Sequence, residues 1–126
     1  MTANELKNRF RLLSKRIIKL VDNLPNTIAG KAIGAQIIRS GTSPGTNYRA
    51  ACRAKSDKDF INKLKIVEEE LDETEYWLQV ISDSELINPE LLKEIIKETN
   101  ELLAIITKSI ITKKEKINHK SLNCKS

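Results

Sequence analysis

The chain has 126 residues, of which 40% are hydrophobic, 31% charged and only 4% aromatic, with a formal net charge of +5. That length makes one domain around one modest core, built mainly from Leu, Ile, Val and Ala. No apolar run approaches the ~20 residues that cross a bilayer, no continuous apolar signal segment opens the chain, and a single His119 without a cysteine cluster argues against a metal site.

The first helix is expected from about Asn4 to Asn23. Leu6, Phe10, Leu13, Ile17, Leu20 and Leu24 alternate steps of four and three, as at a bundle seam. Pro25 ends it or starts the next, because Leu24 before it is biased away from helical angles. Asn26 or Thr27 caps the second helix. Ile28, Ala32, Ala35 and Ile38 are expected to face inward, on a spacing of small residues that permits close helix approach.

The run Gln36 to Arg49 breaks the pattern. Helix formers give way to Ser40-Gly41-Thr42-Ser43-Pro44-Gly45. Gly41 suits a helix end, Ser43 an N-cap and Pro44 a first helical turn. The expectation is a second helix kinked or briefly broken at Ser40–Gly45 that continues to about Ala54. Two separate helices, five in all, form the second reading. Arg39, Ser43 and Asn47 recur every four residues and share a face if the helix runs through.

Ser56 caps the third helix, with Asp57 and Asp59 in its first turn against the helix dipole. Phe60, Leu64, Val67, Leu71, Thr74, Leu78 and Ile81 mark its inner face. Trp77 reads as a packing or subunit-interface anchor. Asn88-Pro89-Glu90 starts the fourth helix. It carries Leu92, Ile95, Ile96, Thr99, Leu102, Leu103, Ile106 and Ile110, while Leu91, Ala104, Ile105 and Ile111 widen the stripe beyond one bundle's needs and point to an oligomer. Residues 1–112 form the bundle domain. Residues 113–126 read as a basic, disordered tail.

Charge is sorted by position. Residues 1–66 carry a net +10, residues 67–111 a net −9 and residues 112–126 a net +4. Basic helices beside acidic ones, and a basic face that attracts polyanions, both follow from such blocks. Arg49, Arg53, Lys55, Lys58 and Lys63 are the candidate nucleic-acid contacts, around the second and third helices. Arg39, Ser43 and Asn47 are the candidate polar network, with Glu70 or Glu73 as the carboxylate partner reaching across. A buried carboxylate needs such a cation.

The run Gln36 to Tyr48, with Ala51-Cys52-Arg53-Ala54, Ser56, Asp59-Phe60, Glu70, Asp72-Glu73-Thr74 and Tyr76-Trp77-Leu78, resembles the four-helix-bundle family encoded in intervening sequences of bacterial large-subunit ribosomal RNA genes. The likeness spans roughly residues 5 to 110. It implies an all-α, antiparallel up-down bundle assembling into a ring-like homopentamer. It also implies kinship with the basic accessory protein of diversity-generating retroelements, whose partners are a reverse transcriptase and RNA. No enzymatic activity comes with it. Ala50 stands where the family usually carries Glu, and Pro44 where it usually carries a bulky apolar residue. If that Glu partners Arg39 or Arg49 in relatives, the ion pair is absent or rewired here.

Chemistry finds little footing. No Glu-x-x-His motif accompanies the acidic run Glu68 to Glu75, so di-iron chemistry has no ligand set. Cys52 has no histidine to activate it, Ser40 and Ser43 lack a base, and the Ser40–Gly45 segment has neither the spacing nor the Lys of a phosphate loop. Cys52 and Cys124 are far apart, which fits a reducing cytoplasm without a structural disulfide. No catalytic residue, cofactor or metal is expected. Two readings remain: a non-catalytic bundle that binds RNA or an RNA–protein complex, and a structural or protein-interaction module whose charge serves solubility and subunit pairing.

Overall fold

A computed structural model describes residues 1–125, with side chains described to residue 122. Four helices carry the chain, with no strand among the described residues: α1 (Ala3–Asp22), α2 (Ile28–Cys52), α3 (Asp57–Asp83) and α4 (Lys93–Lys125). A short 3-10 turn, Pro89–Leu92, leads into α4.

Local sequence sets each start. Thr2 caps α1 in a capping box, its hydroxyl accepting from the Glu5 N–H while the Glu5 carboxylate accepts from the Thr2 N–H. Thr27 caps α2 and Ser56 caps α3, each hydroxyl accepting from the N–H three residues on. Asn88 caps the turn before α4, with Pro89 at its first position.

The core is one cluster. Leu6, Phe10, Leu13, Ile17 and Leu20 of α1 meet Leu64, Val67, Leu71, Leu78 and Ile81 of α3 and Leu92, Leu102, Ile106 and Ile110 of the final segment. The steps of four and three in α1 and α3 hold, with Phe60 and Leu24 half-buried at the ends. Consecutive helices pack against one another. The backbones of α1 and α4 approach only briefly, and ion pairs join them instead.

The second helix continues to Cys52 as one helix, as expected, but the break and the inner face differ. It is one uninterrupted helix through Ser40–Gly45, and no glycine has positive φ, so Gly41 ends nothing. Its buried face is Gly30, Gly34, Ile37, Ser40, Gly41, Pro44, Tyr48 and Ala51. Ile28, Ala32, Ala35 and Ile38, expected inside, are exposed, Ile28 at 91%. The reason is steric. A Cβ on Gly41 would lie 2.7 Å from Ile17 Cγ1, so the missing side chain is what lets α1 and α2 touch.

The fourth helix also differs. Instead of a disordered stretch from Lys113, α4 continues to Lys125. Lys113 pairs with Asp57 at 2.9 Å and lies over the Phe60 ring, which ties the extension to the start of α3. Lys, Glu and Ile there sustain a helix well enough once one turn is docked. At 1.5 Å per residue, the 33-residue α4 is about 50 Å long and outreaches the 20-residue α1. The Cys124 side chain and Ser126 lie outside the described residues.

Candidate functional site

The polar line on α2 divides into separate pieces. Arg39 reaches across to α3, donating to Glu70 at 2.9 Å and also to Glu73. Those carboxylates hold the guanidinium firmly charged, the hydrogen bond from Arg39 to Glu73 first and the charge of Glu70 next. Trp77 Nε1 donates to the same Glu73 at 3.3 Å, and the Trp77 ring meets Tyr76 edge-on. Arg39 itself is half exposed, so this is a surface clamp between helices. Ser43 and Asn47 do not join it. The Asn47 amide donates to Ser43 Oγ at 2.9 Å and to the Ser43 carbonyl at 3.1 Å, within one helix.

A fully buried polar contact between helices is one that the sequence did not reveal. The hydroxyls of Ser40 and Thr74 lie 3.1 Å apart, both at 0% exposure, across the α2–α3 seam. Each also reaches a carbonyl of its own helix, Ile37 at 3.4 Å and Glu70 at 2.8 Å. The four-residue spacing of Arg39, Ser43 and Asn47 points only to the flank of this contact. The signal for the contact itself is Thr74 standing alone in an apolar stripe.

The basic candidates gather at one end of the bundle. Arg49 and Arg53 close α2, Lys55 lies in the following turn and Lys58 opens α3; Arg49, Arg53, Lys55 and Lys58 are exposed, and Lys63 one turn further on is half-buried. None of the five meets a carboxylate among the described residues. The Asp57–Lys113 pair brings the basic extension of α4 to this same end. Lys113 holds the Asp57 carboxyl below its usual range, mainly through their hydrogen bond.

Other arginines are differently placed. Arg9 forks onto Glu98 and Glu101 of α4, and Arg16 reaches Glu94. The hydrogen bond from Arg9 holds the Glu98 carboxyl below its ordinary value against the opposing effect of burial. Glu68 accepts from Thr107 at 2.8 Å. Within the acidic run, Glu68, Glu70 and Glu73 are thus engaged by hydrogen bonds and ion pairs between helices. No three His, Cys, Asp or Glu side chains among the described residues come together as metal ligands.

Tyr48 packs against Phe10 with ring centroids 5.2 Å apart. Burial, then hydrogen bonding with Cys52, pushes its phenol well above the ordinary range, so it stays protonated. Cys52 is exposed and forms no disulfide. No buried side-chain N or O among the described residues lacks a partner, and no helix is long and apolar enough to cross a membrane.

Residues 3–108 match the family model described as 23S rRNA-intervening sequence protein, and the chain belongs to that family. It is also similar to a solved structure from Bacteroides thetaiotaomicron, described as a protein with unknown function from the S23 ribosomal protein family. The two are 37% identical, with a TM-score of 0.80, over 87% of this chain and 98% of that one. No protein with a curated description matches. Neither description assigns a catalytic activity.

Proposed function

We propose that the chain is a non-catalytic, self-associating cytoplasmic bundle that binds structured RNA, alone or within an RNA–protein complex, through exposed basic side chains. One observation carries this reading. Arg49, Arg53, Lys55 and Lys58 are exposed at one end of the molecule and pair with no carboxylate among the described residues, while Arg9, Arg16 and Arg39 each rest on carboxylates of another helix. Such cations gain by releasing counterions from a phosphate backbone. RNA is taken over other polyanions because the resemblance implies kinship with a retroelement accessory protein whose partners include RNA. A reverse transcriptase or another RNA-associated protein is the protein partner that suits the reading.

The contacts Arg9–Glu98, Arg16–Glu94, Glu68–Thr107 and Asp57–Lys113 support an up-down, antiparallel order, because residue numbers rise on one helix as they fall on the other. Exposed Leu12, Ile18, Ile28, Leu91 and Ile111 support self-association into a ring such as a pentamer.

Those same apolar residues favour the second reading, a protein-interaction module that binds no nucleic acid. Binding of a mixed-sequence RNA hairpin by the purified protein, across a salt series and with assembly mass in each buffer, separates the two. Binding that weakens steeply with salt while the mass holds is the expected result. No binding at low salt overturns the RNA reading. In the Arg49→Glu/Arg53→Glu variant, RNA binding is expected to fall with assembly intact; loss of assembly instead favours the second reading.

A further inference from the structure

Between α1 and α2 runs a groove of about 300 Å³, lined by Lys7, Arg11, Ser14 and Lys15 from α1 and by Thr42, Gly45, Thr46 and Arg49 from α2. Four cations line it and no carboxylate does. None of the four pairs with a carboxylate among the described residues. This crowding of like charge is unfavourable on its own. It also contrasts with the other side of the same helix, where Arg9 and Arg16 both rest on acids of α4.

We infer that this groove is a seat for a nucleic-acid phosphodiester strand, a deeper statement of the RNA reading above and resting on it. Lys7, Arg11 and Lys15 stand four residues apart, so they form a row with steps of about 6 Å along the helix. A row of cations matches successive phosphates of a strand better than a single free anion. Arg49 faces the row from α2 and joins it to Arg53 and Lys55 at the basic end. The Ser14 and Thr46 hydroxyls add donors suited to phosphate oxygens, whereas the Thr42 hydroxyl is turned back onto the Ile38 carbonyl at 2.6 Å. Nothing in the groove reads bases, so the seat is indifferent to sequence.

The test compares two double variants of equal charge change in the full chain. Arg11→Glu/Lys15→Glu alters the groove. Lys31→Glu/Lys97→Glu alters exposed positions outside it and off the Lys7–Arg11–Lys15 row. The probe is a fluorescently labelled RNA hairpin titrated at several salt concentrations. The groove variant is expected to bind at least about tenfold more weakly, with a salt slope shallower by about one for each phosphate it no longer neutralises. The control is expected to keep the wild-type slope. Circular dichroism and assembly mass establish folding, and Arg11→Gln/Lys15→Gln replaces the reversal if that variant fails to fold. Groove and control variants with the same affinity and slope overturn the groove while leaving RNA binding intact. A wild-type protein that does not bind the hairpin at low salt overturns both.

Discussion

A single methyl group tests how α1 and α2 meet. An alanine Cβ at position 41 would lie 2.7 Å from Ile17 Cγ1 and 2.9 Å from Cγ2, well inside the ordinary ~3.5–4.0 Å carbon contact. Ile17 is at 0% exposure and has no open space to retreat into. Overpacking of this kind costs about 1–3 kcal/mol. Exchanging Gly for Ala inside a helix returns about 1 kcal/mol. Gly41→Ala is therefore expected to destabilise by up to about 2 kcal/mol. Position 34 provides the contrast. There an added Cβ meets Leu24 and Val21 at 3.4 Å, which is normal contact, so Gly34→Ala should keep the propensity gain and stabilise by about 1 kcal/mol. The gap between the two variants measures the overlap itself, and about 3–5 °C of Tm accompanies each kcal/mol at this chain length. Urea and thermal unfolding followed by far-UV circular dichroism give both numbers. Ile17→Ala in the Gly41→Ala background should show favourable coupling of about 0.5–3 kcal/mol, because the new methyl enters the space vacated. Equal shifts of the same sign for Gly41→Ala and Gly34→Ala would refute the close approach and restore a breaking role for Gly41.

The Ser40–Thr74 contact predicts a non-additive pair. Ser40→Ala should cost about 1 kcal/mol in urea unfolding, while adding Thr74→Val should restore much of it by removing the other buried hydroxyl; a second loss as large as the first would contradict the pairing. The Arg9–Glu98 clamp predicts a pH dependence. The Glu98 pKa is lower folded than unfolded, so its stabilisation is fully present above the unfolded value of about 4.3 and is lost as pH falls through the folded value. Glu98→Gln should cost about 1 kcal/mol at neutral pH for this half-buried forked pair, with the difference from wild type closing below about pH 4. A Tm difference that persists unchanged into acid would show that Glu98 acts by packing alone.

Three of the helices, α1, α3 and α4, are legible in the sequence because large aliphatic side chains mark their inner faces. Leu6 to Leu20 in α1 and Leu64 to Ile81 in α3 carry a hydropathy rhythm that only a bundle seam explains. The second helix misleads for the opposite reason. Its contact face is mostly glycine, serine, proline and alanine, which have little hydropathy to display, with Ile37 and Tyr48 the large exceptions, so Ile28 and Ile38 draw the inner face onto the wrong side. The legible signal is geometric: Gly30, Gly34, Ile37 and Gly41 fall at steps of four, three and four. The basic end of the bundle can be named from residue types, whereas the groove cannot. Lys7 and Arg49 are far apart in sequence, and only the close packing of α1 on α2 brings their side chains to one cleft. The helical tail is hidden because composition does not reveal docking. A basic run reads as solvated until Lys113 meets Asp57 and the Phe60 ring.

The charge blocks of the sequence acquire a physical meaning from how arginine and lysine are divided. Arg9 and Arg39 each engage two carboxylates, a task suited to a planar fork with several donors. Both therefore act as fasteners, α1 to α4 and α2 to α3. Glu70, Glu73, Glu98 and Glu101 are committed to those seams and do not line the α1–α2 groove. The cations left over are mostly lysines, with Arg11, Arg49 and Arg53, and no ion pair among the described residues gives those three arginines a counter-charge. A protein whose charge served solubility alone would gain from interspersing the two signs, since segregated like charges repel. Here Glu70, Glu73, Glu94, Glu98 and Glu101 hold helices together instead. The groove, whose lining holds no carboxylate, is then served by a counter-charge from outside the chain. A phosphate backbone supplies it with an entropy gain from released ions that small anions cannot match.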